Sequence, residues 1–251
     1  MSEPIIELKN VYKDYYVYDS NMKRALGMLF KRKPKATKHA LKDITITINK
    51  GDRVAIMGRS QSGRTSLAKI ISGVFYQTKG KVRVKGTVNA LLSRKVAFDS
   101  KCTCRENIYL KAIANGIPKN EIKKYEEEIL EYSGAGKFAD LPMKQAQPSV
   151  VACMALAIHL KKKADILVID EGMGYGGDEA RFKIEKSIAE YLEENKDVTA
   201  VMSRQYLTLM KAVCNRAIVL EKGEIVYDGY SIEEADRIAK ELVAKAKEPK
   251  E

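Results

Sequence analysis

The chain has 251 residues, 45% apolar and 31% charged, which is enough to bury a core and argues against disorder. Its 45 basic and 33 acidic side chains leave a net charge of +12, which suits a nucleic acid, an anionic membrane surface or a phosphate ligand as partner. With no Trp and only five Phe there are few stacking platforms, which disfavours a single-strand nucleic-acid binder. Met1-Ser2-Glu3-Pro4 has neither the basic nor the apolar stretch of a signal peptide. Ile5–Val11 reads as the first strand. Between Ser20 and Lys42 follow Lys23, Arg24, Lys31, Arg32, Lys33, Lys35, Lys38 and Lys42 with no acid among them, so these eight carry most of the net charge. Met22, Ala25, Leu26, Leu29 and Phe30 recur at helical spacing within that stretch. They predict a short basic amphipathic helix ended by Pro34, either packed on the domain or turned to a membrane surface or membrane partner.

Further along, Ile44–Ile48 alternates as a strand, Lys50-Gly51-Asp52 turns, and Arg53–Met57 is a short buried strand leading to a glycine-rich loop and a helix over Thr65–Ser72. Val82–Val84 and Val88–Leu92 read as a β-hairpin around Gly86. From Arg105 to about Lys163 the pattern is helical, with a charged helix at Lys119–Tyr132 and an apolar one after Pro148. Val150–Leu160 is the longest apolar run and is too short to cross a bilayer. Ile166–Ile169 is apolar throughout, as in a buried parallel strand. Strand Thr199–Met202, helix Leu207–Val213, strands Ala217–Leu220 and Ile225–Tyr227, and a charged helix complete the chain. The alternation predicts an α/β fold with a mostly parallel sheet and an all-helical lobe over about 103–160. Cys102, Cys104, Cys153 and Cys214 are too few and scattered for a disulfide framework. They read as ordinary reduced thiols of a cytosolic protein.

Gly58-Arg59-Ser60-Gln61-Ser62-Gly63-Arg64-Thr65 stands between a strand and a helix and fits the phosphate-loop pattern G-x-x-x-x-G-K-[S/T] at all defined positions but one. Gly58 and Gly63 permit backbone angles that turn successive N–H groups into a concave nest, and the helix N-terminus adds partial positive charge. Thr65 offers a hydroxyl to magnesium. The usual lysine is Arg64, whose planar guanidinium is less able to thread the loop than a compact ammonium. Losing one ionic hydrogen bond there removes about 1.5–3 kcal/mol, roughly 10- to 100-fold in affinity. Ile166–Ile169 ends in Asp170-Glu171, which offers a metal-binding carboxylate (Asp170) beside a candidate base for water (Glu171).

Taken together the chain resembles the ATP-binding-cassette (ABC) nucleotide-binding domains, and in detail those of polysaccharide and teichoic-acid exporters. The resemblance is carried by Lys13-Asp14-Tyr15, the basic insertion before Ala40–Ile44, Gly86–Leu92, the segment Thr103-Cys104-Arg105-Glu106-Asn107-Ile108-Tyr109-Leu110, Asp140–Lys144, and Cys214–Leu220 with Gly223. It implies a P-loop NTPase (RecA-like) fold with an antiparallel β subdomain and an inserted helical subdomain. It also implies a single domain over 1–251, with its α/β core at about 1–102 and 161–251, helical subdomain at about 103–160 and basic insertion at about 20–38. It further implies an ATP site built from Tyr15, stacking on adenine or serving as an edge-strand aromatic, and Gly58, Arg59, Ser60, Gln61, Ser62, Gly63, Arg64, Thr65 and Ser66. Mg2+ would be held by Thr65 and Asp170. The implied partners are a transmembrane permease and a second cassette, identical or different, at the inner face of the cell membrane.

The departures are as informative as the matches. Where the family signature donates groups to the γ-phosphate of the opposite subunit, this chain reads Ala146-Gln147-Pro148-Ser149-Val150, with a proline in place of an N–H donor. Arg204 replaces the switch histidine, the metal-sensing glutamine has no match near Phe98, and Gly172, Gly174, Gly176 and Gly177 loosen the partner-facing loop. The expected reading is an exporter cassette with a degenerate ATP site, paired with a competent one. A non-catalytic scaffold or regulator and an active exporter ATPase with unorthodox motifs remain as alternatives. The basic residues cluster in one insertion, so no nucleic-acid partner is expected.

Overall fold

A computed structural model describes residues 3–17, 22, 36–92, 98–170, 177–203 and 207–246. The chain divides into two compact units, Met1–Lys85 with Val201–Arg204 and Cys214–Glu251, and Gly86–Ala200 with Gln205–Val213.

In the first unit, β1 (Pro4–Val17) lies antiparallel to both β2 (Ala36–Asn49) and β4 (Lys79–Val84). Period-two alternation puts Ile6 and Leu8 of β1 and Ile44, Ile46 and Ile48 of β2 in the core. A bulge between Leu8 and Val11 holds Asn10 at φ 48°, across from Asp43 at φ 53°. The Asn10 amide donates to the Asp43 carboxylate at 2.8 Å, so two residues that tolerate the left-handed region brace each other.

The same unit holds β3 (Arg53–Gly58), parallel to β8 (Arg216–Glu221), which turns through Lys222 and Gly223 into antiparallel β9 (Glu224–Gly229). Both turn residues have positive φ, the requirement of a two-residue hairpin loop that matches strand twist. Helix α1 (Arg64–Ile71) follows β3. Helix α7 (Ile232–Lys245) is capped by the Ser231 hydroxyl, which accepts from Glu234 N, and packs on β8 and β3 through Ile232, Ala235 and Ala239.

The second unit contains β5 (Val88–Leu91) parallel to β6 (Ile166–Ile169) and helices α2 (Cys104–Ala114), α3 (Lys119–Ser133), α4 (Pro148–Leu160), α5 (Asp178–Glu194) and α6 (Leu207–Val213). Ile108, Ile122, Ile129, Leu130, Met154 and Ile158 form one helical core. Strand β7 (Thr199–Ser203) is buried throughout, and its residues fall in both units.

The class is α/β, as the alternation predicts, with parallel pairings at β3–β8 and β5–β6 and a separate antiparallel sheet. The hairpin around Gly86 does not form. Val82–Val84 belongs to β4 and pairs with β1, whereas Val88–Leu91 pairs in parallel with β6. The reason is Asp165: its carboxylate accepts from Thr87 N at 2.7 Å and Thr87 Oγ1 at 2.8 Å, tying the start of β5 to β6. Strands β1 and β2 run longer than the sequence predicts, and β2 takes up Ala36–Lys38 from the end of the basic insertion. Apart from Met22, which is 73% exposed, the expected amphipathic helix lies outside the described residues. Helix α5 adds to the elements the sequence predicts, and Ala180, Ile184, Ile188 and Leu192 bury one face of it.

Candidate functional site

Strand β3 is buried from Val54 to Gly58 and delivers the chain into the loop from below. Gly58 has φ 136°, and a Cβ there would stand 2.2 Å from the Leu220 carbonyl oxygen. At Gly63, φ 114°, it would stand 2.6 Å from the Ala40 oxygen. Only glycine fits either place. Between them Gln61 adopts φ 66°. Ser62 N donates to the Arg59 carbonyl at 3.2 Å, and Gly223 N donates to the Ser62 carbonyl at 2.9 Å, so the β8–β9 turn supports the loop. Arg59 pairs with Glu221 at 2.9 Å, and Lys38 Nζ donates to Gln61 Oε1 at 3.1 Å. These props come from residues far apart in sequence and left no local signal.

Helix α1 begins at Arg64 with Gly63 as N-cap and no side chain on its first N–H groups. Four N–H groups at a helix start have no partner within the helix, which makes this end a receptor for an anion. The Ser62 hydroxyl is buried with no hydrogen-bond partner among the described residues. A glycine cradle with a buried, unanswered hydroxyl and an uncapped helix fits a polyphosphate.

Arg64 is only 7% exposed. Its guanidinium Nη1 donates to the carbonyls of Gly58 and, at 2.8 Å, Arg59. The side chain therefore turns onto the loop's own backbone. Thr65 is exposed, with its hydroxyl available to a metal ion. The hydroxyls of Ser66 and Tyr15 are hydrogen-bonded at 3.1 Å, and the Tyr15 ring meets Phe75 edge-on with centroids 6.1 Å apart. Lys13 Nζ lies 5.3 Å from both ring centroids. Tyr15 is thus fixed beside the helix that follows the loop, with a cation already against its ring.

In the second unit Asp170, at the end of β6, is 2% exposed. Its N–H donates to the Leu91 carbonyl at 2.9 Å, while one carboxylate oxygen, Oδ1, is buried without a partner among the described residues. A buried carboxylate oxygen left unanswered suits a cation ligand. Glu171, Gly172, Gly174, Gly176 and Arg204 lie outside the described residues. Among the described residues no cluster of three or more metal-binding side chains occurs, and no helix is long and apolar enough to cross a membrane.

The signature-like stretch enters α4 with Gln147 as N-cap, Pro148 at the first helical position and no side-chain cap. Proline is well placed there because its missing N–H would be unused within the helix. It still removes one donor from that end, and leaves the N–H groups of Ser149 and Val150 facing outward from the ladder.

The exporter-like segment at Thr103 has a structural role that sequence reasoning did not supply. Thr103 Oγ1 accepts from Glu106 N while the Glu106 carboxylate accepts from Thr103 N, a reciprocal cap on α2. The buried Asn107 amide donates to the carbonyls of Asp99, Cys102 and Thr103 and accepts from Asp99 N. Arg105 bridges Asp140, Glu126 and Glu127. All four cysteines are free, and burial pushes their thiols up, that of Cys214 to about 12, so they are protonated at neutral pH.

The strand, glycine loop and uncapped helix define a P-loop nucleotide-binding cassette. Residues 41–174 match the family model described as ABC transporter, and the chain belongs to that family. It is similar to the O-antigen export system ATP-binding protein RfbB of Klebsiella pneumoniae, with 31% identity across 87% of this chain and 91% of RfbB. It is also similar to the teichoic acids export ATP-binding protein TagH of Lactococcus lactis subsp. lactis (strain IL1403), with 32% identity across 74% of this chain and 39% of TagH. The fold matches the dimeric post-hydrolysis structure of the ATP-binding cassette MJ0796 bound to ADP and Pi, with a TM-score of 0.71 and 20% identity over 90% of this chain and 98% of that one.

Proposed function

We propose that this chain is the ATP-binding subunit of an exporter of a polysaccharide or other cell-surface glycan. It acts at the inner face of the cell membrane, beneath a transmembrane permease and paired with a second cassette. The relatives named for O-antigen and teichoic-acid export support the substrate class, and the dimeric cassette MJ0796 supports the pairing. In this reading Gly58, Arg59, Ser60, Gln61, Ser62, Gly63, Arg64, Thr65 and Ser66 cradle the phosphates and Tyr15 contacts the base. Thr65 and Asp170 are ligands for Mg2+, and Glu171 is the base for the attacking water. Bound magnesium supplies charge neutralisation on the phosphates.

The site turns over slowly. The observation that carries this is Arg64, whose guanidinium is held by the carbonyls of Gly58 and Arg59, so nucleotide must compete with the loop's own hydrogen bonds. Arg204 in place of a proton-carrying histidine, and Pro148 in place of a donor, point the same way.

The test is calorimetric titration with Mg-ATP alongside a hydrolysis assay on the isolated chain. Hydrolysis close to background is expected, and Arg64→Lys should tighten ATP by roughly 10- to 100-fold. Strong magnesium-dependent turnover by the unaltered chain would overturn the slow-site reading. The Arg64 contacts also favour a second reading, a scaffold that uses the cassette fold without nucleotide. Absence of binding at millimolar ATP in both the unaltered chain and Arg64→Lys would select it.

A further inference from the structure

A cavity of about 630 Å³ opens in the second unit, and none of its walls belongs to the phosphate loop, to Asp170 or to the signature-like stretch. It lies between the start of β5, the turn from α2 to α3, and Lys161, Lys162 and Lys163 at the end of α4. Its lining thus includes three lysines and one acid, Glu121.

The three lysines differ. Lys161 is fixed, with Nζ 2.5 Å from Glu128 Oε1 and 4.9 Å from the centre of the Tyr125 ring. Lys162 Nζ reaches only the Val88 carbonyl, at 3.4 Å, and neither it nor Lys163 has an ion pair among the described residues. Lysines at a helix C-terminus complement its dipole, which accounts for their sign. It does not account for Asn115. That residue lines the same cavity, and its amide nitrogen is buried with no acceptor among the described residues. A buried donor without an acceptor is unfavourable in the free protein, and a small turn of the side chain toward a ligand oxygen would relieve it. His159, beside the lysines in α4, is held neutral. Burial, with the charges of Lys111 and Lys162, lowers its pKa to about 4.

We propose that this cavity binds a phosphate monoester on a body the size of a sugar, with Lys162 and Lys163 on the phosphate and Asn115 donating to an oxygen. Two ammonium groups and an amide match the three terminal oxygens and near-double charge of a phosphate monoester better than they match a carboxylate. The volume falls within the range of small-molecule sites, and Ile117, Pro118 and Tyr125 give the non-ionic part an apolar wall. A free sugar phosphate and a lipid headgroup of the phosphatidic-acid type share this chemistry.

The experiment titrates the full chain with glucose 1-phosphate in one arm. The other arm uses vesicles of equimolar phosphatidylcholine and phosphatidic acid. Each arm is repeated with Lys162→Gln/Lys163→Gln and with Asn115→Ala, whose folding is verified by thermal denaturation. Saturable binding that weakens at least about tenfold in the lysine variant, and several-fold in Asn115→Ala, is expected. Such loss in the soluble arm assigns a free phosphomonoester, and in the vesicle arm alone it assigns a headgroup. Binding that both variants retain at full strength, or none in either arm at millimolar ligand, overturns the proposal.

Discussion

Helices α1 and α2 begin in opposite ways. The first turn of α2 is closed by its own side chains, through the Thr103–Glu106 reciprocal cap and the Asn107 amide that pins the approaching segment at Asp99, Cys102 and Thr103. The first turn of α1 follows Gly63 and has no side-chain cap. A helix end that satisfies its own donors is a structural joint, whereas one set between strained glycines keeps its donors for something else. Helix α4 falls with α1: Gln147 supplies no cap and Pro148 fills the first position.

The contrast is broken most severely at the loop. Gly58→Ala would set a Cβ against the Leu220 carbonyl in a backbone region closed to L side chains, a loss of roughly 2–6 kcal/mol of stability, read by chemical denaturation. Asn107→Ala removes one accepted hydrogen bond and two amide hydrogens shared among three carbonyls, so it should lower stability by about 3 kcal/mol while leaving nucleotide affinity unchanged. A drop in nucleotide affinity at constant fold would erase the distinction between joint and receptor.

The far end of α4 supplies a test by pH. Asn89 donates from its amide nitrogen to the His159 carbonyl, so its Oδ1 faces His159 Nδ1, which carries the proton of the neutral ring. The folded pKa of about 4 lies below the unfolded value near 6.5, so between these the unfolded chain binds more protons. The stability contributed by neutral His159 is complete above about pH 6.5 and is lost as pH falls toward 4, up to about 3 kcal/mol. Denaturation midpoints measured across that window should flatten in His159→Gln. The smallest effect is Thr103→Ala, about 1 kcal/mol from one cap, read by thermal shift.

The loop was legible because its chemistry is local: two glycines, a hydroxyl and a cation at fixed spacing between a strand and a helix. The four-residue apolar run of β6 was legible for the same reason. What the sequence concealed was partnership. Val82–Val84 and Val88–Leu92 have the same local pattern as a hairpin, and only Asp165, 78 residues beyond Thr87, assigns them to different neighbours. Helix α5 shows only a thin apolar stripe, Ile184, Ile188 and Leu192, among charged residues, after a glycine-rich lead-in that reads as loop. The inward turn of Arg64 was equally hidden, since residue type at that position says nothing about which carbonyls the guanidinium finds.

The basic segment between β1 and β2 leaves from a fixed platform. Val17 and Ala36 are directly paired across the sheet, as are Tyr16 and Thr37, and Tyr15 and Lys38. Tyr15 then touches Ser66 and Lys38 touches Gln61, so both strand ends rest on the phosphate loop or its helix. A shift of these paired strand ends therefore reaches the loop region at two points, one on each side of Arg64 in the sequence.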